Sequence, residues 1–506
     1  MKKPFEKILI ANRGEIAIRV IRTCRELGVR TVAVFSEADR QALHVRLADE
    51  AVCIGPPPAA QSYLASEKIL DAARATSSQA IHPGYGFLSE NAGFSRACRE
   101  AGLVFIGPSP ESIERMGDKV AARRAMTEAG VPVVPGVQNS IEDDGELEKA
   151  AAQIGFPVMI KAVGGGGGKG IRIVREPKDL LSAARLARSE AGKSFQDSRI
   201  YLEKVVENPH HVEIQVLGDA HGGAIHLGER ECSVQRRHQK LIEETPSPLI
   251  DEKTRQAMGE AAVRAVQSLG YLGAGTMEFL VNEDLDFFFL EMNTRLQVEH
   301  PVTEMVTGVD LVAEQLYIAA GEPLRLKQED IRFTGHAIEA RINAEDPDTF
   351  LPATGTIQSV EIPSGPGVRF DGAVYAGMEV GLFYDPMLAK LIVWGADRPS
   401  ALRRLRSALS ELSLPGVKTS AETIRLVLEH PRFQSGKYDT HFLESEIENL
   451  RGSAPVIESE ELAAIAAVLA DLEKRRSHLK TTGDGGTSTG SAWKIAGRMA
   501  QLRRGM

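Results

Sequence analysis

Polar side chains recur at every second position from Glu291 to Glu299, where the chain reads E-M-N-T-R-L-Q-V-E. In an extended segment successive side chains point to opposite faces, so one surface would carry acids, amides and a guanidinium. That surface consists of Glu291, Asn293, Arg295, Gln297 and Glu299. Leu290, Met292, Leu296 and Val298 would anchor the segment in the core. The plain alternative is an amphipathic strand with a solvated outer face.

A second strand-like run, T-M-E-F-L-V, precedes this segment and is joined to it by the polar turn 282–286. A hairpin with one continuous register would set Glu278 opposite Glu291 and Thr276 opposite Asn293. Like charges directly across a strand pair repel each other. Mg²⁺ takes oxygen ligands and usually keeps phosphate oxygens in its shell. The pattern therefore predicts a site for Mg²⁺ or Mn²⁺, with Glu278, Glu291 and Asn293 as its ligands.

Five consecutive glycines, 164–168, are followed by Lys169 and Gly170 and lie between the strand-like runs 156–163 and 171–174. The glycines satisfy GxGxxG literally, but a strand follows them, not a helix, and no Lys-Ser/Thr pair closes a P-loop. A flexible linker is the alternative, although linkers rarely lie between two strands. A mobile hairpin whose backbone N–H groups close over phosphates fits the pattern better.

Composition limits the class of protein. The chain has 506 residues and a mass of 54.8 kDa, enough for roughly two to four domains. A net charge of -9 and a pI near 5.8 argue against nucleic acid as the main partner. We expect no membrane insertion and no signal peptide, because every apolar run is too short. The four cysteines lack CxxC spacing, which favours reduced thiols in a cytoplasmic protein.

The elements that must position these side chains alternate between strand and helix at the start of the chain. A strand at 7–11, a helix at 15–27 and a strand at 31–35 form a βαβ unit. We therefore expect a parallel sheet with helices on both faces up to about residue 115. The turn at 12–15 lacks the dinucleotide fingerprint, which disfavours a nicotinamide cofactor there.

Several long motifs together resemble those of biotin carboxylase, a member of the ATP-grasp superfamily. They are IANRGEIA at 10–17, HPGYGFLSEN at 82–91, MGDK at 116–119, the glycine run, ERECSVQRRHQK at 229–240, residues 291–303 and RINAEDP at 341–347. The resemblance covers residues 4 to about 445. One departure is Lys169, where the family often has Arg; it keeps the charge but loses bidentate geometry.

The resemblance implies a multidomain fold of α/β and α+β type. A Rossmann-like N-terminal domain would cover 1–115 and a C-terminal biotin carboxylase domain 331–447. Between them, an ATP-grasp domain at 116–330 would carry a glycine-rich lid at about 132–205. Residues 448–506 would form an extension of a helix, a Gly/Ser/Thr linker and a basic segment, 493–504, with four basic residues and no acidic one. We predict that this segment is a docking peptide; a frayed terminus is the alternative.

The family's reaction converts MgATP and bicarbonate to carboxyphosphate, which carboxylates N1′ of biotin. The resemblance implies ATP contacts at Lys119, Lys161, Gly166, Gly167, Gly168, Lys169, Gly170, Glu203, Lys204, His211, Gln235, His238, Glu278 and Glu291. Among these, Glu203 and Lys204 resemble the hinge that hydrogen-bonds adenine. Lys161 lies between apolar neighbours in a strand, where a buried charge needs a partner.

The remaining site residues follow from the same resemblance. Lys240 and Arg295 would bind bicarbonate, with Gln297 and the Val298 backbone completing the pocket, and Glu299 would be the general base. Arg341 would stabilise the enolate oxygen of biotin, and Tyr85 would contact biotin. Two alternatives stay open, namely an ordinary salt bridge between Arg341 and Glu345 and a purely structural turn at Tyr85.

The resemblance also implies partners. The sequence contains no A-M-K-M-like biotinylated hairpin, and no carboxyltransferase-sized segment follows residue 445. We therefore expect a biotin carboxylase subunit that works with a separate biotin carboxyl carrier protein and a carboxyltransferase subunit. A homodimer would form through the C-terminal domain and the first helix, including Arg19 and Arg22. The competing hypotheses are another carboxyphosphate-forming ATP-grasp ligase and a catalytically silent scaffold subunit.

Overall fold

The structure is a computed structural model that describes residues 3–137, 139–163, 170–195, 197–237, 239–452, 464–469 and 472. The chain divides into two compact units, residues 1–451 and 452–506. In the second unit, residues 464–469 are helical. Among the described residues, no helix has both the length and the apolar character needed to cross a bilayer.

The N-terminal part forms the expected parallel sheet, with strand order β3-β2-β1-β4-β5. Its strands are β1 (Lys7–Ile10), β2 (Arg30–Ser36), β3 (Glu50–Gly55), β4 (Ala80–His82) and β5 (Val104–Phe105), and its helices are α1 (Gly14–Glu26), α2 (Leu43–Leu47), α3 (Ser66–Ala75), α4 (Ala92–Glu100) and α5 (Pro110–Gly117). Ile8 and Ile10 belong to one core cluster with α1, whereas Leu9 belongs to another with α3 and α4. The helices therefore cover both faces of the sheet, as predicted.

A smaller antiparallel sheet, ordered β7-β6-β8, follows. This part contains α6 (Lys119–Glu128), α7 (Asp144–Ile154), β6 (Val158–Ala162), β7 (Arg172–Val174), α8 (Leu180–Phe195) and β8 (Ile200–Lys204). Val158 pairs with Val174 and Ile160 with Arg172, so the glycine run joins two paired antiparallel strands. The predicted hairpin pairing is confirmed.

The largest sheet has eight antiparallel strands in the order β13-β12-β9-β10-β11-β14-β18-β16. The strands and helices of this part are β9 (His210–Gly218), β10 (Ala224–Arg236), β11 (Gln239–Thr245), α9 (Glu252–Leu269), β12 (Gly273–Val281), β13 (Phe287–Asn293), α10 (His300–Thr307), α11 (Leu311–Ala319), β14 (His336–Asn343), β15 (Gly355–Thr356), β16 (Val368–Gly372), β17 (Glu379–Val380), β18 (Met387–Gly395), α12 (Arg398–Glu411), α13 (Ala421–Glu429), α14 (Pro431–Gln434) and α15 (Phe442–Gly452). The pairing of β11 with β14 makes one continuous sheet out of segments that are far apart in the sequence.

The β12–β13 hairpin confirms the predicted pairs near the site. Glu278 lies opposite Glu291, and Thr276 lies opposite Asn293. The expectation of one continuous register is wrong, because the register shifts after Glu278 and Phe279 pairs with Phe289. Such a bulge inserts one extra residue and bends the strand locally.

The prediction of an extended segment as far as Glu299 is also wrong. Strand β13 ends at Asn293, and the chain then turns into α10, whose first turn contains Pro301. Proline suits the first turn of a helix, which the alternation of polar residues did not reveal. Met292 and Leu296 are buried as expected, but Leu290 and Val298 are only half-buried.

Candidate active site

Lys240 lies at the centre of a buried group of carboxylates. Its Nζ donates to Glu213 Oε2 at 2.6 Å, to Glu299 Oε1 at 2.6 Å and to Glu278 Oε1 at 3.1 Å. Strands β11, β9 and β12 supply three of these four residues. Burial alone would lower the pKa of Lys240, but the surrounding acidic groups raise it well above its usual value. The site therefore holds a fixed positive charge.

Glu299 is held from its other side by Arg341. The Arg341 Nη2 donates to Glu299 Oε2 at 2.9 Å, and its Nε donates to Glu243 Oε1 at 2.6 Å. The alternative pairing with Glu345 is wrong, because Glu345 is paired with Arg236. Burial alone would raise the pKa of Glu299, but the charges of Lys240 and Arg341 hold it well below its usual range. Glu299 is therefore a carboxylate at neutral pH.

The loop between β13 and α10 is fixed by two buried cations. Gln297 Nε2 donates to Glu278 Oε1 at 2.8 Å, and Gln297 Oε1 accepts from Arg230 Nη2 at 3.0 Å. The carbonyl of Val298 accepts from Lys390 Nζ at 2.8 Å. These bonds determine the path of the loop that leads to Glu299.

Arg295 lies at the edge of the same group. Its Nε donates to Glu90 Oε2 at 2.9 Å, and its Nη2 donates to Asn293 Oδ1 at 3.0 Å. Asn293 Nδ2 in turn donates to Glu278 Oε1 at 2.8 Å. Residues 291–299 thus bring their polar side chains together although the segment is not one strand.

Glu278 and Glu291 have the donor chemistry of a hard-cation site. Burial and the facing charge of Glu278 raise the pKa of Glu291. A divalent cation between the two carboxylates would remove this repulsion, and oxygen donors suit Mg²⁺. The side-chain amide oxygen of Asn293, Oδ1, already accepts from Arg295. The participation of Asn293 in the ligand set therefore stays a prediction.

A second set of charges lies on β6, β8 and α6. Lys161 Nζ pairs with Glu203 Oε2 at 2.5 Å, which supplies the partner that its apolar strand required. Arg123 Nη1 donates to Glu203 Oε1 at 2.8 Å. The side chain of Lys204 donates to the carbonyls of Gly155 and Phe156, each at 2.9 Å.

Lys119 begins α6 and belongs to the same electrostatic environment. Burial lowers its pKa and Lys161 lowers it further, whereas the charges of Glu291 and Glu203 act in the opposite direction. The charge of Lys119 therefore interacts both with Glu291 of the proposed metal site and with the Lys161–Glu203 ion pair.

The other predicted nucleotide contacts are distributed as follows. His211 Nε2 lies 2.9 Å from Glu278 Oε2, and Gln235 is paired with Lys240 in the register of β10 and β11. Gly170 has φ of +74°, and a Cβ there would lie 2.8 Å from the Cβ of Ala162, so glycine is required. Gly166, Gly167, Gly168, Lys169 and His238 lie outside the described residues.

Tyr85 is engaged within the protein. Its hydroxyl donates to Glu15, and its carbonyl accepts from Asn12 Nδ2 at 2.7 Å. These bonds support the structural alternative for the Gly-Tyr-Gly turn. Glu15 Oε1 also lies 3.3 Å from Lys390 Nζ, which donates to the Val298 carbonyl, so Tyr85 is linked to the loop that leads to Glu299. Contact with biotin stays a prediction.

Three family models match the chain. The model described as "Biotin carboxylase, N-terminal domain" matches residues 4–113, "Carbamoyl-phosphate synthase L chain, ATP binding domain" matches 118–327, and "Biotin carboxylase C-terminal domain" matches 339–445. The chain belongs to the biotin carboxylase family. The two flanking models distinguish it from other ligases with a related ATP-binding domain.

Individual biotin carboxylases agree with this assignment. The enzyme of Allochromatium vinosum is 54% identical over 445 residues, which are 88% of this chain and 99% of that protein. A biotin carboxylase–β,γ-ATP complex from Campylobacter jejuni has a TM-score of 0.85 at 47% identity and covers 87% of this chain and 99% of that one. The biotin carboxylase domain dimer of Hydrogenobacter thermophilus 2-oxoglutarate carboxylase, solved with MgADP, ADP and bicarbonate, has a TM-score of 0.84 at 49% identity and covers 88% of this chain and 98% of that one.

Sequence reasoning missed several residues that position this biotin carboxylase site. They are Glu90, Glu213, Arg230, Glu243 and Lys390. A signal was present for Lys390, because a single lysine interrupts the apolar strand M-L-A-K-L-I-V-W. The same argument had been sufficient for Lys161. It does not apply to Arg230, which lies between Glu229 and Glu231 in β10.

Proposed function

We propose that this biotin carboxylase activates bicarbonate and carboxylates biotin within the charged group around Lys240 and Glu299. The overall reaction uses ATP and bicarbonate to carboxylate N1′ of biotin and releases ADP and phosphate. It is the first half-reaction of a biotin-dependent carboxylase. The single observation that carries the proposal is the position of Glu299, which is held by Lys240 on one side and by Arg341 on the other.

Bicarbonate is a planar anion, and Lys240 and Arg295 supply two positive groups close to Glu299. Arg295 can bind it through paired hydrogen bonds, with Gln297 and the Val298 backbone fixing its orientation. Glu299 takes the bicarbonate proton. A bicarbonate oxygen then bonds to the γ-phosphorus of ATP, and the bond to the ADP oxygen breaks.

Because the pKa of Glu299 is depressed, it is a weak base. Alignment of Glu299 with bicarbonate therefore contributes as much as basicity. Bicarbonate binding adds a negative charge next to Lys240, which weakens the hold of Lys240 on Glu299. The basicity of Glu299 then increases at the moment when it must accept the proton.

ATP binds between the Lys119–Lys161 side and the Glu278–Glu291 pair. Lys119 and Lys161 neutralise phosphate charge, the Glu203–Lys204 segment contacts adenine, and His211, Gln235 and His238 complete the site. Glu278 and Glu291 would hold Mg²⁺, which when bound neutralises the phosphate oxygens. The glycine run 164–168, with Lys169 and Gly170, closes over the phosphates and excludes water, which would otherwise destroy carboxyphosphate.

Arg341 acts on the second substrate. When N1′ of biotin loses its proton, negative charge develops on the ureido oxygen, and the guanidinium stabilises it there. A phosphate oxygen of carboxyphosphate takes the N1′ proton, N1′ bonds to the carboxyl carbon, and the bond from that carbon to the phosphate oxygen breaks, so that phosphate leaves with the proton. Tyr85 contacts biotin.

The reaction is tested by incorporation of ¹⁴C-bicarbonate into free biotin by the full chain. We expect incorporation to require ATP and Mg²⁺ and to be lost in Glu299→Gln, which is matched in size but cannot accept the proton. Glu361→Gln, an exposed change in the same unit, is the control and should behave like the wild type. Undiminished incorporation in Glu299→Gln would contradict the proposal.

The natural substrate is biotin on a separate biotin carboxyl carrier protein, and a carboxyltransferase subunit uses the carboxylated product. The chain is proposed to be a cytoplasmic homodimer with the domain limits 1–115, 116–330 and 331–447. All four cysteines are free thiols, which supports a reducing compartment. The basic segment 493–504 lies outside the described residues. It is proposed to be a docking peptide, so deletion of residues 481–506 should abolish partner binding and leave turnover of free biotin intact.

A further inference from the structure

Two glutamates face each other beneath Arg341. Glu243 of β11 and Glu339 of β14 are directly opposed in the antiparallel register, and both are fully buried. Glu243 Oε1 accepts from Arg341. Among the described residues, no hydrogen-bond donor reaches Glu243 Oε2 or either oxygen of Glu339. Two ionised carboxylates in this arrangement would repel each other, and Glu339 would be a buried charge without a donor.

Charged groups approach Glu339 from every neighbouring element. Lys390 comes from β18, Arg341 from β14, Glu243 from β11, Glu299 from the loop before α10, and Tyr85 from the loop after β4. Lys390 is already engaged with the Val298 carbonyl at 2.8 Å and with Glu15 at 3.3 Å. The positive charge that could stabilise an ionised Glu339 is thus shared with other acceptors.

We propose that Glu243 and Glu339 hold one proton between them, chiefly on Glu339, and that their single negative charge positions Arg341 for biotin. Glu243 and Glu339 are then positioning residues, because they act only through Arg341. This inference rests on the proposed role of Arg341 in the biotin half of the reaction.

The electrostatics of the pair agree with this assignment. Burial raises the pKa of Glu339 well above its usual value, and the charge of Glu243 raises it further against Lys390. Burial also raises the pKa of Glu243 to about 7, although Arg341 acts in the opposite direction. With the proton on Glu339, the guanidinium is held between two carboxylates only, Glu243 and Glu299.

Loss of the shared proton would change the distribution of negative charge around the Arg341 guanidinium. A second negative charge would appear on Glu339, opposite Glu243 in the paired strands. The Arg341 guanidinium would then be drawn towards the Glu243–Glu339 pair and would stabilise the biotin oxygen less well. Carboxybiotin formation should therefore decline at alkaline pH before bicarbonate-dependent ATP hydrolysis does.

The test is infrared spectroscopy of the full chain without substrates, labelled with ¹³C-carboxyl glutamate. We expect a carbonyl band from protonated glutamate near neutral pH, with one component missing in Glu339→Gln and retained in the exposed control Glu361→Gln. In Glu243→Gln the repulsion is removed, so the Glu339 component should titrate about one pH unit lower or more. If Glu339→Gln does not fold, this second variant provides the result.

If neither Glu339→Gln nor Glu243→Gln alters the infrared spectrum, the two glutamates do not share a proton. The positioning role has its own readout, because Glu339→Gln cannot ionise and should move the alkaline fall in carboxybiotin formation upwards by about one pH unit. If the alkaline fall in carboxybiotin formation stays at the same pH in Glu339→Gln, the pair does not position Arg341. The infrared result involves no substrate, so its failure is distinct from a failure of the proposed function, which Arg341→Ala tests.

Discussion

Lys240 and Glu299 form a buried ion pair, with Nζ donating to Oε1 at 2.6 Å. The same ammonium also binds Glu213 and Glu278, so one cation joins the proposed metal pair to the proposed base. Arg341 completes the chain from the other oxygen of Glu299. With the proposed roles, the phosphate chemistry and the biotin chemistry would meet at the carboxylate of Glu299.

We expect Lys240→Gln to damage both stability and activity. Removing one partner of a buried pair leaves uncompensated charge, so the free energy of unfolding should fall by about 3–5 kcal/mol. The pKa of Glu299 should rise because its nearest cation is gone, and ATP turnover with bicarbonate should be nearly abolished. Denaturant unfolding and ATPase assays measure these effects. Lys253→Gln, an exposed change on α9, is the control, and equal behaviour of the two variants would refute the central role of Lys240.

The metal pair gives a second prediction. Glu291→Gln removes one of two facing carboxylates, so turnover should fall about 100-fold or more and should need a higher Mg²⁺ concentration. The fold should persist, because the substitution removes the repulsion between the facing carboxylates of Glu278 and Glu291. Turnover measured against Mg²⁺ concentration tests this, with Glu283→Gln in the turn of the same hairpin as the control. Near-normal activity at low Mg²⁺ would exclude Glu291 as a ligand.

The sequence predicted this hairpin from short-range information alone. Two strand-like runs on either side of a polar turn were sufficient to place Glu278 opposite Glu291. The bulge beyond Glu278 could not be predicted, because it depends on how the strands pack in the complete sheet. The turn after Asn293 was missed because the alternation of polar residues matched a strand even where the chain enters α10.

Long-range pairing explains the other omissions. Glu243 and Glu339 come from strands that pair only in the folded sheet, and neither belongs to a recognisable local pattern. Arg230 was part of a motif, but its five hydrogen bonds reach two other strands, helix α10 and the loop before that helix. Sequence motifs thus identified the residues proposed to touch substrate better than the buried residues that position them.

Acid stability gives a third prediction, centred on Glu244. This buried carboxylate accepts from His336 at 2.6 Å, from Arg398 at 2.7 Å and from Tyr438. Burial would raise its pKa, but His336 and Arg398 lower it from 4.5 to about 2. A group whose pKa is depressed by folding stabilises the protein above its unfolded pKa, here by about 3 kcal/mol.

The stabilisation by Glu244 should be lost as the pH falls from about 4.5 to about 2. Glu244→Gln should therefore unfold more readily than the wild type at neutral pH, and the difference should shrink as the pH is lowered through that window. Urea unfolding at a series of pH values measures it. For the exposed change Glu422→Gln, the free energy of unfolding should differ from that of the wild type by the same amount at every pH. A difference between Glu244→Gln and the wild type that does not change with pH would contradict the prediction.

The proposed homodimer leads to a fourth prediction. Arg19 is buried in ion pairs with Glu304 at 2.7 Å and Asp310 at 2.8 Å. Arg22 on the same helix lies 3.6 Å from Asp371, and its side chain is 51% exposed. Arg22→Glu should place a repulsive charge at the interface and convert the dimer to a monomer in light scattering at micromolar concentration. Arg74→Glu on α3 should remain dimeric. A monomeric mass for the wild type would disprove the dimer.

The last prediction separates the two halves of the reaction at Arg341. Because the guanidinium is proposed to act on biotin and not on the nucleotide, Arg341→Ala should retain bicarbonate-dependent ATP hydrolysis to within about threefold and lose carboxybiotin formation by about 100-fold or more. Arg341→Lys keeps the charge but cannot bond Glu243 and Glu299 in the same way, so it should recover only part of the loss. Release of phosphate and incorporation of ¹⁴C-bicarbonate into biotin, measured on the same samples, give the ratio directly. Equal loss of both activities would show that Arg341 maintains Glu299 and has no separate role towards biotin.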